Sequence, residues 1–268
     1  MLIKAGYDIR FETEVPTAMM ANLSIHPSRH QDLVTPHRIT TDPEVPIYDY
    51  MDGFGNVCTR LTIPTGGLTL SCDFTVADSG QLDPASPNAI QHPVEDLPDD
   101  VLVYLLGSRY CETDRLLETA WSLFGHVPPG WGRVQAIVAF THEHIKFGYH
   151  FARPTKTAWD AYQEREGVCR DYAHLAITLC RCMNIPARYC TGYLGDIGFP
   201  SDSAMDFSAW FDVYLSGEWH VFDARHNKQR IGRILMARGR DATDAALTTS
   251  FGAAELVRFD VHTDEIVE

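Results

Sequence analysis

Residues 164–174 read Glu-Arg-Glu-Gly-Val-Cys-Arg-Asp-Tyr-Ala-His. A helix is expected just after Gly167, because Tyr172, Leu175, Ala176, Leu179 and Met183 recur at helical spacing over Arg170–Met183. Asn184-Ile185-Pro186 stops it. Cys169 then falls at the amino-terminal edge of that helix, where the positive end of the helix dipole favours thiolate over thiol. A cysteine there is equally an ordinary small apolar residue, so position alone leaves both readings open.

The chain on either side gives the frame. Downstream, Ala187–Gly192, Phe207–Leu215, Glu218–Ala224 and Glu255–His262 read as strands. Ser216-Gly217 makes a two-residue turn, so Leu215 faces Glu218. Counting back along the hairpin, Ser208 faces Arg225, and Ser208 and Asp223 become diagonal neighbours about 7–8 Å apart. Upstream, Val101–Leu106, Glu112–Phe124, Arg133–Ile145 and Thr157–Arg165 read as helices, with Pro128-Pro129-Gly130 dividing two of them. Before them, Tyr7–Glu14 and Leu68–Val76 alternate as strands, Ala18–His26 is a further candidate, and Val57–Ile63 follows a tight turn at Asp52-Gly53 and Gly55-Asn56. The fold class is α+β. An amino-terminal antiparallel β-sandwich-like domain is expected over residues 1–80, a Pro- and Asp-rich linker over 81–98, and a core of helices packed on an antiparallel sheet over 99–268.

Composition bounds the function. The 268 residues carry 22 Lys and Arg against 36 Asp and Glu, a formal net charge of −14. That balance disfavours nucleic acid and anionic membrane surfaces as partners. No apolar stretch reaches the length of a membrane span, and the start lacks the apolar run of a signal peptide. The seven cysteines follow no framework spacing. Reduced thiols and a cytoplasmic location are therefore expected.

A thiol at a helix start, followed by a polar residue and an Asp on adjacent strands, is the layout of a thiol triad. The segments EREGVCRDYAH, PARYCTGY (186–193), FSAWFDVYL (207–215) and EWHVFDARH (218–226) resemble the bacterial transglutaminase-like family. YDIRFETEVPT and DGFGNVCTR resemble the β domain that precedes the core in many of its members. The resemblance implies a papain-like core and a Cys-His-Asp triad acting on amides. By motif position it makes Cys169 the nucleophile and Asp223 the orienting carboxylate. The family's His-Ala-Trp stretch is here Ser208-Ala209-Trp210. A serine hydroxyl neither takes a thiol proton near neutral pH nor forms a cation beside a thiolate.

The resemblance therefore supports two functions. One is a thiol enzyme that forms a Cys169 thioester with a peptide or protein amide, resolved by water or an amine, with Asp223 orienting a base or Ser208 holding a water in the proton path. The other is a non-catalytic member that binds a peptide or a partner. Among substitute bases, His226 lies three residues beyond Asp223. By periodicity His220 and His174 point elsewhere, while the sequence does not place His142, His144 and His150. His142-Glu143-His144 lacks a second zinc-ligand histidine at position 146, and no metal or cofactor is implied. Acidic residues Asp73, Asp78 and Glu95–Asp100 lack a calcium-loop pattern. Arg230, Arg233, Arg238 and Arg240 form a basic patch that either takes an anion or pairs with neighbouring carboxylates. Trp210 and Trp219 either wall a groove or fill the core.

Overall fold

The structure is a computed structural model that describes residues 1–199 and 205–267. The chain runs through β1 (Leu2–Glu12), β2 (Thr17–Ala21), β3 (Thr40–Asp42), β4 (Tyr48–Met51), β5 (Val57–Ile63) and β6 (Leu68–Ala77). Next come α1 (Asp99–Leu102), α2 (Thr113–Phe124), α3 (Trp131–His144), β7 (Lys146–Phe147), α4 (Ala158–Glu164), β8 (Glu166–Gly167) and α5 (Cys169–Cys182). It finishes with β9 (Ala187–Leu194), β10 (Ser208–Leu215), β11 (Glu218–Phe222), β12 (Arg233–Gly239), β13 (Thr248–Ser250) and β14 (Glu255–Ile266). The α+β class holds.

Two four-stranded sheets, ordered β14-β1-β6-β3 and β13-β2-β5-β4, make the sandwich. Alternation explains β1, where Ile3, Ala5, Tyr7, Ile9 and Phe11 are buried beneath polar neighbours. One expectation is corrected here. The strand beginning at Glu255 does not close the core sheet; it pairs antiparallel with β1, from Leu2↔Ile266 to Glu12↔Glu255. β13 likewise pairs with β2. Both ends of the chain thus build the sandwich, and the sheets cross the sequence boundary expected near residues 80–98.

The core sheet is ordered β11-β10-β9-β12 and is antiparallel throughout. Its outer strand β12 lies within the arginine-rich stretch, which the sequence presents as a basic patch rather than a strand. α5 lies against β9 and β10, and from Asp171 to Cys182 every residue of the helix is buried. The main core gathers the apolar faces of α2, α3, α4 and α5 with β10. A second cluster joins β1 and β6 to Tyr193, Ile234 and Met236 of the core sheet, so the sandwich and the core share packed side chains. Residues 81–98 are tied down rather than free. Arg230 N–H and Arg233 Nε donate to Asp83 Oδ2 at 2.9 and 2.8 Å.

Candidate active site

Cys169 opens α5. Asp171 Oδ2 accepts the Val168 N–H at 2.8 Å, fixing the entry of the chain into the helix. The first-turn N–H groups of an α-helix have no intrahelical acceptor and point past its end. Beside them the Cys169 sulfur accepts the Ala209 N–H at the start of β10. Burial pushes the thiol up to about 11; the Arg225 guanidinium pulls it back, Asp206 raises it, and Arg170 draws it down slightly. The resting group is therefore a thiol at neutral pH.

The sulfur faces a cavity of about 690 Å³. Cys169, Ser208, Asp206, Tyr149 and Tyr189 line one side; Ile9 and Phe11 of β1 with Leu256 and Phe259 of β14 line the other. The cavity thus lies between sandwich and core, and its walls are mostly apolar. Ser208 is 5% exposed, and its Oγ meets no hydrogen-bond partner among the described residues. Its carbonyl is held by the Thr191 hydroxyl at 3.1 Å.

The structure brings Cys169 and Ser208 to one cavity and places Asp223 outside its lining. The β10–β11 ladder ends at Phe211↔Phe222, so the extrapolated pairing of Ser208 with Arg225 does not form. The reason is local. Asp223 leaves the strand and starts a turn in which its carbonyl accepts the Asn227 N–H and its Oδ1 accepts the His226 N–H, both side-chain and backbone habits of Asp at turns. Its Oδ2 then accepts from His226 Nδ1 at 2.8 Å and from Arg233 at 2.9 Å.

The histidines sort in the same way. His226 serves Asp223. His174 is fully buried, stacks on Tyr110 and accepts the Ala242 N–H. His220 is buried and directed to the Leu215 carbonyl. His142 and His144 donate to the backbone carbonyls of Arg225 and Tyr162. Among the described residues, no histidine lines the Cys169 cavity. Neither tryptophan walls it: Trp210 is buried under Arg233, and Trp219 packs on Tyr104 and Tyr214. Three of the four arginines of the patch are paired, Arg233 with Asp83 and Asp223, Arg230 with Asp196, and Arg240 with Asp244, while the buried Nε of Arg238 meets no hydrogen-bond partner among the described residues.

Sequence reasoning missed Asp206, Tyr149 and Arg225. These three feel one another's charge and that of Cys169. Burial raises the Asp206 carboxyl, while the Phe207 N–H and Arg225 oppose it. Arg225 is fixed with its guanidinium carbon 3.9 Å over the Phe147 ring. Asp206 carried a readable signal, since it shares parity with Ser208 ahead of β10.

Comparison with known proteins agrees with this architecture. The family model of the Transglutaminase-like superfamily matches residues 123–224. The crystal structure of a "Putative Cysteine Protease" from Cytophaga hutchinsonii is 30% identical with a TM-score of 0.86, covering 100% of this chain and 91% of that one. The Uncharacterized protein ML0607 of Mycobacterium leprae (strain TN) is 26% identical over 245 residues, 82% of this chain and 81% of that protein. The periplasmic domain of TgpA from Pseudomonas aeruginosa is 16% identical with a TM-score of 0.39, covering 82% of this chain and 89% of that one. With a motif-bearing helix, a matching core and a 30% identical structural relative spanning its whole length, the chain belongs to the transglutaminase-like superfamily.

Proposed function

We propose that the protein is a thiol enzyme that forms a thioester between Cys169 and the acyl group of a peptide or protein amide, and passes that group to water or an amine. The observation that carries this reading is the placement of the Cys169 sulfur at a helix start, facing a roomy cavity beside the unpartnered Ser208 hydroxyl. A buried hydroxyl without a partner costs about 1–3 kcal/mol, which a substrate amide would recover by bonding to it. The apolar lining suits an uncharged acyl side chain of some size. In this scheme the backbone N–H groups at the start of α5, that of Cys169 included, would hold an oxyanion formed near the sulfur. Asp223 acts at a distance in this scheme, holding the turn that carries Arg225.

The test supplies neutral peptide anilides with large apolar side chains, with hydroxylamine as acceptor, and measures hydroxamate. The wild type is expected to form it, and Cys169→Ala to lose at least about a hundredfold of the rate. A second reading, a non-catalytic peptide binder, is favoured by one specific observation: among the described residues the imidazole on Asp223 is that of His226, which does not line the Cys169 cavity. That reading is supported if the same peptides bind wild type and Cys169→Ala equally, by fluorescence anisotropy, while neither yields hydroxamate.

A further inference from the structure

The missing histidine leaves a question that the cavity itself answers. A thiol that is protonated at rest must lose its proton as it attacks. Asp206 and Cys169 line the same cavity, as does Ser208, two residues beyond Asp206, and the Ala209 N–H is on the sulfur. Resting on the thiol-enzyme reading above, we infer that Asp206 is the proton acceptor for Cys169, in the role that an imidazole fills in a Cys-His pair.

The chemistry balances. As the sulfur bonds to the substrate carbonyl carbon, the S–H proton passes to an Asp206 oxygen and the carbonyl π pair moves onto oxygen. When the intermediate collapses, the C–N bond breaks and Asp206 returns the proton to nitrogen, so the amine leaves neutral and a thioester remains. Water or an amine then adds, loses its proton to Asp206, and the C–S bond breaks with the sulfur taking that proton. A carboxylate is a weak base for a free thiol. It suffices here because the sulfur proton becomes strongly acidic once the S–C bond forms, so transfer within that step runs downhill. Burial raises the Asp206 carboxyl and so strengthens it as a base, while Arg225 keeps it available as the anion.

Among the described residues, other charged and titratable groups stand around this pair. Arg225 and Tyr149 face it from the turn after β11 and the loop after β7, Arg170 from α5, and Tyr189 from β9. Tyr189 is pushed above its ordinary range chiefly by burial, with Cys169 adding to the effect, and Tyr149 likewise by burial. Both phenols stay neutral through the range where Asp206 would work.

The experiment is alkylation of Cys169 by iodoacetamide between about pH 5 and 11, followed by mass spectrometry of the peptide that carries it, in wild type, Asp206→Asn and Asp206→Glu. A thiol reacting only as thiolate loses about tenfold in rate per pH unit below its pKa. The wild type is expected to flatten onto a plateau below about pH 8, where Asp206 takes the proton during attack. Asp206→Asn is expected to lose the plateau, at least about tenfold slower near pH 6.5, and to overtake the wild type above about pH 10, where only the repulsion has been removed. Asp206→Glu keeps a plateau. The fully buried Cys111 and Cys180 report the fold, because they stay unlabelled unless the chain opens. If the wild type shows no plateau, or if Asp206→Asn reacts faster at every pH, the assignment is wrong and Asp206 is only a repulsive neighbour. The assay needs no amide turnover. A plateau without hydroxamate would sink the enzyme reading and leave the proton assignment intact, whereas hydroxamate without a plateau would do the reverse.

Discussion

Asp223 is 5% exposed, and its two oxygens accept from three donors on two residues, His226 and Arg233. Burial alone would raise its pKa; Arg233 and then His226 outweigh that and hold the carboxyl well below the usual range. A carboxylate with a depressed folded-state pKa adds stability that is present above its unfolded value, near 3.9, and is lost as pH falls through the folded value. Arg233→Met removes the cation and leaves the anion buried. A loss of about 3–5 kcal/mol is expected at pH 7, read by urea denaturation. The same variant should begin to lose Asp223's contribution at a higher pH than the wild type, because the carboxyl has lost its largest lowering influence. A variant as stable as wild type across pH 3–7 would show that the Asp223–Arg233 contact carries no weight.

Among the elements, β9 has little room. All eight of its residues are buried, with β10 on one side and β12 on the other. At Gly192 an added Cβ would stand 2.1 Å from the Ile234 carbonyl oxygen and 2.9 Å from the Met236 nitrogen, both backbone atoms that cannot swing away. Gly192→Ala is therefore expected to cost about 3 kcal/mol, seen as a lower midpoint in thermal melts, and an unchanged midpoint would contradict it. Elements were legible where their cause was local. Val57–Ile63 follows from the turn before it, α5 from its apolar stripe, and the Leu215↔Glu218 pairing from Ser216-Gly217, both of which adopt positive φ. β12 was hidden because its arginines read as a surface patch. Burial of Arg233 is tolerated because Asp83, distant in sequence, and Asp223, across the turn before β12, neutralise it. The site was legible to the same degree. Cys169 and Ser208 come from strand and helix periods, whereas the position of Asp223 depended on continuing a period of two past the end of its strand. Asp206 shares the parity of Ser208 but lies two residues ahead of β10, outside the run over which the period of two was counted.

The whole molecule places the cavity where two packed bodies meet, so its wall depends on strands from both ends of the chain. β14 pairs with β1 along the length of that strand, and Phe259 packs on Phe207 with ring centroids 5.7 Å apart. Phe207 also meets Tyr7 of β1 and Tyr193 of β9, at 6.0 and 4.9 Å. It immediately precedes Ser208, so a disturbance of the sandwich reaches the thiol through one residue. Removing residues 248–268 deletes β13 and β14, opens an edge on β1 and strips Leu256 and Phe259 from the cavity wall. An edge strand with unpaired backbone groups also invites association. The shortened chain is expected to associate, as seen by size-exclusion chromatography, and its Cys169 to be alkylated by iodoacetamide at least about tenfold faster at pH 7.5, because the burial that raises the thiol is relieved. Helical circular dichroism and the protection of Cys180 within α5 serve as the comparison. If those and the Cys169 rate all match the full chain, the core shapes its thiol alone and the sandwich is only an attached body. If the thiol changes while α5 stays protected, the sandwich is part of the site.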